Sequence, residues 1–173
     1  MVGYASQKHI GCEGAKLLYP NQTIQHSGVV VGVGGIAMHA FVSTGRMQYG
    51  YFGRLVSVYD WSCVTAACLM VKKSKYLSVG GLEEDLKVAY NDVDFNLKLL
   101  DSGYYNVVLP NVELFHYESL SRGNDMSEDQ IKRFKKETDY MCDKWGKKLL
   151  SDKFYNDNMS YDYAFRLDRK SEK

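Results

Sequence analysis

A short stretch that begins at Asn91 constrains the fold most, because it joins an acidic pair to the start of an amphipathic helix. Asn91 can cap that helix by accepting a hydrogen bond from a first-turn N–H, and Asp92 and Asp94 suit the positive end of the helix dipole. Phe95 and Leu99 are four residues apart and give an apolar contact along one face. An acidic helix start is equally expected where no chemistry occurs, so the stretch predicts a helix and leaves its function open.

Apolar segments on both sides of this helix predict the strands of a sheet. They occupy residues 10–19, 23–32, 64–71, 104–109 and 112–115. A short helix capped by Ser74 is predicted over residues 74–79. The alternation of strands and helices indicates an α/β fold, a mixed sheet with flanking helices, formed as a single domain over residues 1–173.

The C-terminal part of the chain predicts a long amphipathic helix followed by an aromatic tail. Ser127 and Gln130 resemble a capping box, and the helix is predicted to run from there to about Leu150. Its apolar stripe predicts core contacts through Ile131, Phe134, Met141 and Trp145. The aromatic and polar segment after the helix is expected to wrap back over the domain.

Charge and cysteine usage narrow the class of protein. Lys and Arg total 22 against 21 for Asp and Glu, so no overall field attracts nucleic acid or anionic lipid, and no nucleic-acid partner is expected. The four cysteines lack zinc-ligand spacing, which indicates reduced thiols in a cytoplasmic protein. No apolar run reaches the ~18 residues of a transmembrane helix. The first residues read like the middle of a helix, so we expect the chain to be a piece of something longer.

Segments rich in small residues raise further questions about binding. The Gly-x-Gly-Gly turn at residues 32–35 lacks the spacing of a phosphate-binding loop, so a plain turn is expected there. Residues 39–59 predict a long ordered loop, and such loops in compact domains are usually functional. Ala66 and Ala67 leave room either for a ligand to approach the backbone or for a closely packed helix.

Three polar features lie where α/β sheets place their sites, at strand ends and helix starts. The carboxylates of Asp92 and Asp94 can take a proton from an attacking hydroxyl, His116 can ligate a divalent metal, and Arg122 can bind phosphate. Each also has a structural interpretation, as a helix cap, a strand-end histidine or a surface charge. Spacing alone does not decide between these interpretations.

An ordered series of motifs adds information that periodicity lacks. The motifs occupy residues 14–20, 24–28, 64–69, 80–82, 91–95, 103–104 and 116–123. In this order they resemble the C-terminal half of family 2 glycosyltransferases, particularly the rhamnosyltransferase-like and O-antigen polysaccharide branch. The resemblance runs from about Ile10 to Tyr161, and it implies part of a GT-A fold, a Rossmann-like nucleotide-diphospho-sugar transferase domain.

The resemblance implies roles for individual residues. Asp92 matches the general base, with Asn91 standing where the family commonly has an acidic residue, and His116 matches a ligand of the catalytic metal. The family's metal-binding D-x-D lies in a nucleotide-binding half that this chain lacks, so a divalent metal, Mn or Mg, is expected only together with that half. Diphosphate contacts are implied at Ser121 and Arg122, and acceptor contacts at Trp61, Thr65 and Ala66. Asp94 is implied as a structural or acceptor-binding partner of Asp92.

The function implied is that of an inverting glycosyltransferase, with a nucleotide-sugar donor and a saccharide acceptor as partners, in bacterial surface polysaccharide biosynthesis. We expect it to act in the cytoplasm, at the inner face of the membrane in the full-length protein. The competing hypothesis is a non-catalytic, glycosyltransferase-like module that binds carbohydrate or another protein. The 173 residues alone are expected to be inactive and, because a truncated sheet exposes its edges, to self-associate.

Overall fold

A computed structural model describes residues 1–117 and 127–167 and confirms a mixed α/β architecture. The strands are β1 (Ile10–Leu18), β2 (Ile24–His26), β3 (Val29–Val31), β4 (Ala37–His39), β5 (Tyr59–Trp61), β6 (Leu69–Val71) and β7 (Tyr105–Phe115). The helices are α1 (Val2–Ala5), α2 (Lys73–Ser78), α3 (Asn91–Asp101) and α4 (Glu128–Trp145), with 3-10 turns at Tyr51–Gly53, Ala66–Cys68 and Gly146–Leu149.

The sheet is built around β1, all nine residues of which are buried. On one side β1 pairs in parallel with β7, and β5 pairs antiparallel with the far side of β7. On its other side β1 pairs antiparallel with two short strands, β6 near its start and β2 near its end. Strands β3 and β4 form a separate antiparallel pair. β1 therefore has neighbouring strands on both sides along most of its length, and even its charged residues Glu13 and Lys16 are buried.

Helix α3 packs on β1 and runs in the opposite direction to that strand. Near the start of β1, Gly11 lies so close to α3 that an added Cβ would be 3.2 Å from Leu99 Cβ, close to the end of the helix. Asn96, one turn earlier, hydrogen-bonds Val64, which in turn lies against Gly14 farther along β1. The N-terminus of α3 therefore points toward the C-terminal ends of β1 and β7.

Two predicted strands are wrong because glycine and turn chemistry interrupt them. Residues 23–32 form two strands separated at Ser27 and Gly28, where Gly28 adopts a φ of +104°. Residues 64–71 are a 3-10 turn, capped by Thr65 Oγ1, followed by a strand of only three residues. The small side chains of Ala66 and Ala67 are exposed on that turn and not packed in a central strand.

The predicted separation of strands 104–109 and 112–115 is also wrong, since β7 continues from Tyr105 to Phe115 through Pro110. The register with β1 passes from Ala15 opposite Leu109 to Lys16 opposite Glu113, so three residues of β7 are in excess at this point. A proline is tolerated at such an irregularity because its missing N–H takes no part in the ladder.

The N-terminal caps of α2 and α3 differ from those predicted, whereas the cap of α4 agrees. Tyr90, in a left-handed conformation with φ +62°, stands at the N-cap of α3, and Asn91 is the first helical residue. Ser74 lies inside α2 and caps nothing. Ser127, in contrast, accepts a hydrogen bond from Gln130 N–H at 3.4 Å, which confirms the predicted start of α4.

Only part of the predicted α4 stripe is buried. Met141 and Trp145 are 0% and 8% exposed, whereas Ile131 and Phe134 are 54% and 53% exposed. The predicted core contact is therefore confirmed for the second half of the helix and wrong for the first. The aromatic tail does pack back as predicted, with Phe165 stacked 4.7 Å from Phe41. No helix in the two described segments combines the length and apolar character that a bilayer span requires.

Replacing Gly28 with Ala is expected to destabilise the protein by about 2–4 kcal/mol, for two reasons. An L-amino acid is strained at the positive φ of Gly28, and its methyl group would overlap a neighbouring side chain. An added Cβ would lie 2.2 Å from the Trp61 ring, which is itself buried. Gly35→Ala is the matched control, because Gly35 has a similar φ of +101° but no atom within 4 Å of the added Cβ. Urea denaturation of both variants measures the difference, and equal losses would contradict the steric explanation.

Candidate functional site

The candidate site lies where the C-terminal ends of β1 and β7 meet the N-terminus of α3. His26 on β2 pairs with Leu17, and Phe115 on β7 pairs with Leu18, so His26 and His116 flank the same end of β1. The backbone N–H of His116 donates to the Leu18 carbonyl at 2.9 Å. Asp92, in the first turn of α3, faces this end through its contact with the 3-10 turn after Thr65.

Asp92 is held by backbone groups and remains half-buried. Its Oδ2 accepts a hydrogen bond from the Ala66 N–H at 3.1 Å, and its Oδ1 accepts from the Val93 N–H at 2.9 Å. These two N–H donors fix the position of both carboxylate oxygens at the N-terminus of α3. Because Ala66 is exposed beside it, the carboxylate stands at a surface that a ligand can reach.

Asn96 fixes the backbone that leads into this turn. Its Oδ1 accepts from the Val64 N–H at 3.2 Å, and its Nδ2 donates to the Val64 carbonyl at 3.0 Å and to the Asp92 carbonyl at 2.6 Å. The buried Cys12 thiol donates to the same Oδ1 at 3.1 Å. Asn96 is fully buried, so these bonds satisfy a polar group that would otherwise be costly in the core.

His26 contacts the next peptide of the turn. It is fully buried, and its Nε2 accepts from the N–H groups of Gly28 and Thr65, each at 3.4 Å. Its Nδ1 lies 3.2 Å from Nδ1 of His39, which is half-buried. Burial, together with the neighbouring His39, holds the pKa of His26 well below its ordinary value. His26 is therefore neutral in the folded protein at physiological pH.

Asp94, the second member of the acidic pair, has a different environment. Its carboxylate has no exposed surface and accepts a hydrogen bond from Trp145 Nε1 at 2.8 Å. It also forms ion pairs with Lys144 at 2.8 Å and Lys98 at 2.9 Å. In this conformation Asp94 has no atom available to an acceptor sugar, and its contacts join α3 to α4.

Glu83 extends this ion-pair network at the surface, 3.1 Å from Lys144 and 3.9 Å from Lys98. Hydrogen bonds from Tyr140 and Lys144 lower the pKa of Glu83 to about 2, from an ordinary value of 4.5. Partial burial lowers the pKa of Lys144, but the hydrogen bonds that Lys144 donates to Asp94 and Glu83 raise it by more, so the net pKa lies above its ordinary value.

The depressed pKa of Glu83 predicts a defined acid dependence. A carboxylate with a lower pKa in the folded state stabilises it above pH 4.5, and this contribution declines as the pH falls toward 2. Glu83→Gln should cost about 1–2 kcal/mol at pH 7 and progressively less below pH 4.5. Thermal or urea unfolding across this range tests it, with the exposed neighbour Glu84→Gln as control. A difference that does not change with pH would contradict it.

The residues implied as acceptor contacts fall into two groups. Thr65 and Ala66 belong to the turn that contacts Asp92, so the structure brings these three residues together. Trp61 is 2% exposed and packs in the core, with its ring 5.8 Å from Phe165, and its Nε1 has no partner among the described residues. Trp61 is therefore a core residue in this conformation.

The implied metal and diphosphate contacts are only partly within the described residues. Ser121 and Arg122 lie outside them. His116 is half-buried, and its Nδ1 is buried without a hydrogen-bond partner in the described part of the chain, which fits a ligand role. Within residues 1–117 and 127–167, no three His, Cys, Asp or Glu side chains are grouped closely enough to hold a metal ion. His116 is thus one suitable donor and not a complete site.

Two residues of this site were not predicted from the sequence. Asn96 could have been found, because it lies four residues after Asp92 and places a polar side chain on the buried face of the helix. His26 gives a weaker signal, as a lone histidine inside an apolar segment. Its contacts with Thr65 and His39 depend on strands that sequence reasoning joined into one.

Comparison with known proteins gives several relatives. No protein-family model matches the chain. An uncharacterized protein, y4gI, of Sinorhizobium fredii is 44% identical over 161 residues, which is 92% of this chain and 18% of that protein. The O-antigen biosynthesis protein RfbC of Myxococcus xanthus is 36% identical over 129 residues, 72% of this chain and 10% of that protein.

A shorter match involves an enzyme with a named reaction. The N-acetylglucosaminyl-diphospho-decaprenol L-rhamnosyltransferase of Mycobacterium tuberculosis is 32% identical over 62 residues, 36% of this chain and 20% of that protein. The chain therefore spans a fifth or less of the length of each of these three relatives. Two of the three carry names of O-antigen biosynthesis or of rhamnosyl transfer.

Proposed function

We propose that this chain is the acceptor-side part of an inverting glycosyltransferase of family 2, with a GT-A fold, that transfers a sugar from a nucleotide-sugar donor to a saccharide hydroxyl. The observation that carries the proposal is the carboxylate of Asp92, held by the Ala66 N–H at 3.1 Å beside an exposed turn. The names of two relatives, one for O-antigen biosynthesis and one for rhamnosyl transfer, support a role in polysaccharide synthesis. The proposal places this role at the bacterial surface polysaccharide, with the enzyme in the cytoplasm at the inner face of the membrane.

In the proposed reaction, Asp92 acts as general base on the acceptor. Each oxygen of its carboxylate accepts one backbone N–H and keeps a further lone pair for the proton of the hydroxyl. The hydroxyl oxygen forms a bond to the anomeric carbon from the face opposite the diphosphate. The bond to the diphosphate breaks with its electron pair on the leaving group, so the anomeric configuration inverts.

A divalent metal, Mn or Mg, completes the proposal. When bound, the ion stabilises negative charge on the departing diphosphate. His116 is the described residue that would contribute a ligand, since its Nδ1 is buried and has no partner among the described residues. We assign Ser121 and Arg122 to the same leaving group, because hydroxyl and guanidinium donors suit phosphate oxygens.

The test is a transfer assay on the complete gene product with a panel of sugar nucleotides and saccharide acceptors. The expected result is release of nucleoside diphosphate together with a glycoside whose anomeric configuration is inverted, which NMR of the product reports. The 173-residue chain alone is the negative control, and we expect no turnover from it above background. A product with retained configuration, or full turnover by the 173-residue chain, would overturn the proposal.

A further inference from the structure

We propose that His26 is a positioning residue for Asp92, acting through the backbone turn at Thr65 and Ala66. The two side chains do not need to touch for this. His26 holds the Thr65 N–H, and the next N–H along the chain, that of Ala66, holds Oδ2 of Asp92. The inference rests on the proposed function, in which Asp92 is the general base.

Three consecutive backbone amides define the turn, and each is bound by a different polar side chain. Asn96 accepts from Val64 N–H at 3.2 Å, His26 from Thr65 N–H at 3.4 Å, and Asp92 from Ala66 N–H at 3.1 Å. Asn96 and Asp92 both belong to α3, whereas His26 lies on β2, so of these three hydrogen bonds only the one at the Thr65 N–H comes from the sheet. Val64 packs against Gly14 of β1 and β6 pairs with β1 after the turn, so removing the His26 bond releases the Thr65 amide and not the whole turn.

The hydrogen-bond pattern assigns the tautomer of His26. Its Nε2 faces two N–H donors, from Gly28 and Thr65, so this nitrogen must be the acceptor. The proton of the neutral ring is then on Nδ1, where it is donated to Nδ1 of His39 at 3.2 Å. His39 thereby fixes the ring orientation in which Nε2 points at the turn, as an outer hydrogen-bond partner fixes a metal-ligating imidazole.

Position matters here because the base must meet a hydroxyl at hydrogen-bond distance and in line with the anomeric carbon. Small displacements of a catalytic group cost large factors in rate. Thr65 is 8% exposed, and its Oγ1 accepts from Ala67 N–H at 3.4 Å, so Thr65 is linked to the residues on both sides of the Ala66 N–H that binds Asp92. A shift at the Thr65 amide is therefore transmitted to the Ala66 N–H and to Asp92.

Two substitutions of His26 test whether the position of its hydrogen-bond acceptor matters, as distinct from the loss of the imidazole ring. In His26→Gln the side-chain oxygen lies near the former Nε2 and can accept both N–H groups. In His26→Asn the side chain is one carbon shorter, its oxygen falls near the former Nδ1, and the bonds to Gly28 and Thr65 are lost. Both replacements are neutral amides, so they differ chiefly in where the acceptor lies.

The first measurement is amide hydrogen exchange in the 173-residue chain, followed by NMR. We expect Thr65 and Gly28 to exchange about tenfold faster in His26→Asn than in the wild type, and within about threefold of it in His26→Gln. This readout does not depend on catalysis. Equal exchange in all three proteins would overturn the claim that His26 holds the turn.

The second measurement is steady-state transfer by the complete gene product. We expect His26→Asn to lower kcat by about 10–100-fold, with the KM for the sugar nucleotide within about twofold, and His26→Gln to restore most of kcat. Faster exchange at Thr65 together with an unchanged kcat would overturn the positioning role. Failure of the proposed function has a different signature, namely turnover that is insensitive to Asp92→Asn.

If His26→Asn does not fold, the same bond can be removed from the other side. Thr65 has a φ of −74°, which suits proline, so Thr65→Pro deletes the N–H and leaves His26 intact. Thr65→Ala is the comparison, since it also removes Oγ1 but keeps the N–H. We expect kcat to be lower in the proline variant than in the alanine variant, and equal values would overturn the inference.

Discussion

Replacing Asp92 with Asn should lower kcat for sugar transfer by about 10²–10⁴-fold, the usual contribution of a general base. The amide has nearly the same shape, and its oxygen can still accept from either Ala66 or Val93, so the fold is retained. What it loses is the ability to take the proton of the acceptor hydroxyl. The measurement is the rate of nucleoside diphosphate release at saturating donor and acceptor, made on the complete gene product.

Asp85→Asn is the matched control for this result, because Asp85 is an exposed carboxylate in the acidic loop that precedes α3. It should leave kcat unchanged. Urea denaturation of the Asp92 variant must show the wild-type midpoint within a small margin, so that lost activity is not lost folding. A kcat for Asp92→Asn equal to that of the wild type would remove Asp92 from the role of base.

Replacing Asp94 with Ala should have the second large effect, a loss of stability of about 3 kcal/mol, the lower end of the range for a broken buried ion pair. The substitution leaves Lys98, Lys144 and the Trp145 indole without their buried acceptor. Glu83, at 3.1 Å from Lys144, compensates part of the loss. Urea unfolding of the 173-residue chain measures the change in free energy.

Asp139→Ala provides the comparison for Asp94. Asp139 pairs with Lys135 four residues away on α4 at 2.8 Å, but both side chains are more than half exposed. An exposed pair of this kind contributes about 0.3–0.5 kcal/mol. If the two variants lost equal stability, burial of Asp94 would not be the reason for its effect.

The sequence predicted the elements whose signals are local. The acidic start of α3 at Asp92, the capped start of α4 at Ser127 and the strand β1 were all visible as patterns over a few residues. The strand predictions failed where a local pattern was overruled by backbone geometry. Gly28, with its positive φ, and the turn at Thr65 both lie within apolar runs that read as continuous strands.

Charge and helix position alone did not separate the two aspartates, whereas the resemblance matched only Asp92 to the general base. Asp92 and Asp94 stand two residues apart in the same helical turn, and both suit the helix dipole. Their roles separate because one faces the exposed Ala66 and the other faces Trp145, 51 residues later in the chain. Contacts at that separation depend on how α4 packs, which no local pattern records.

The parallel pairing of β1 with β7 has a consequence for synthesis of the chain on the ribosome. Ile10 pairs with Tyr105 and Leu18 with Phe115. The ribosome must therefore add almost a hundred further residues after β1 before β7, its parallel neighbour, has been synthesised. During that interval the apolar residues of β1 depend on the two short strands β2 and β6, and such late long-range pairing is slow and exposes the chain to aggregation. The protein is therefore expected to need chaperone protection early in translation, before the site itself can form.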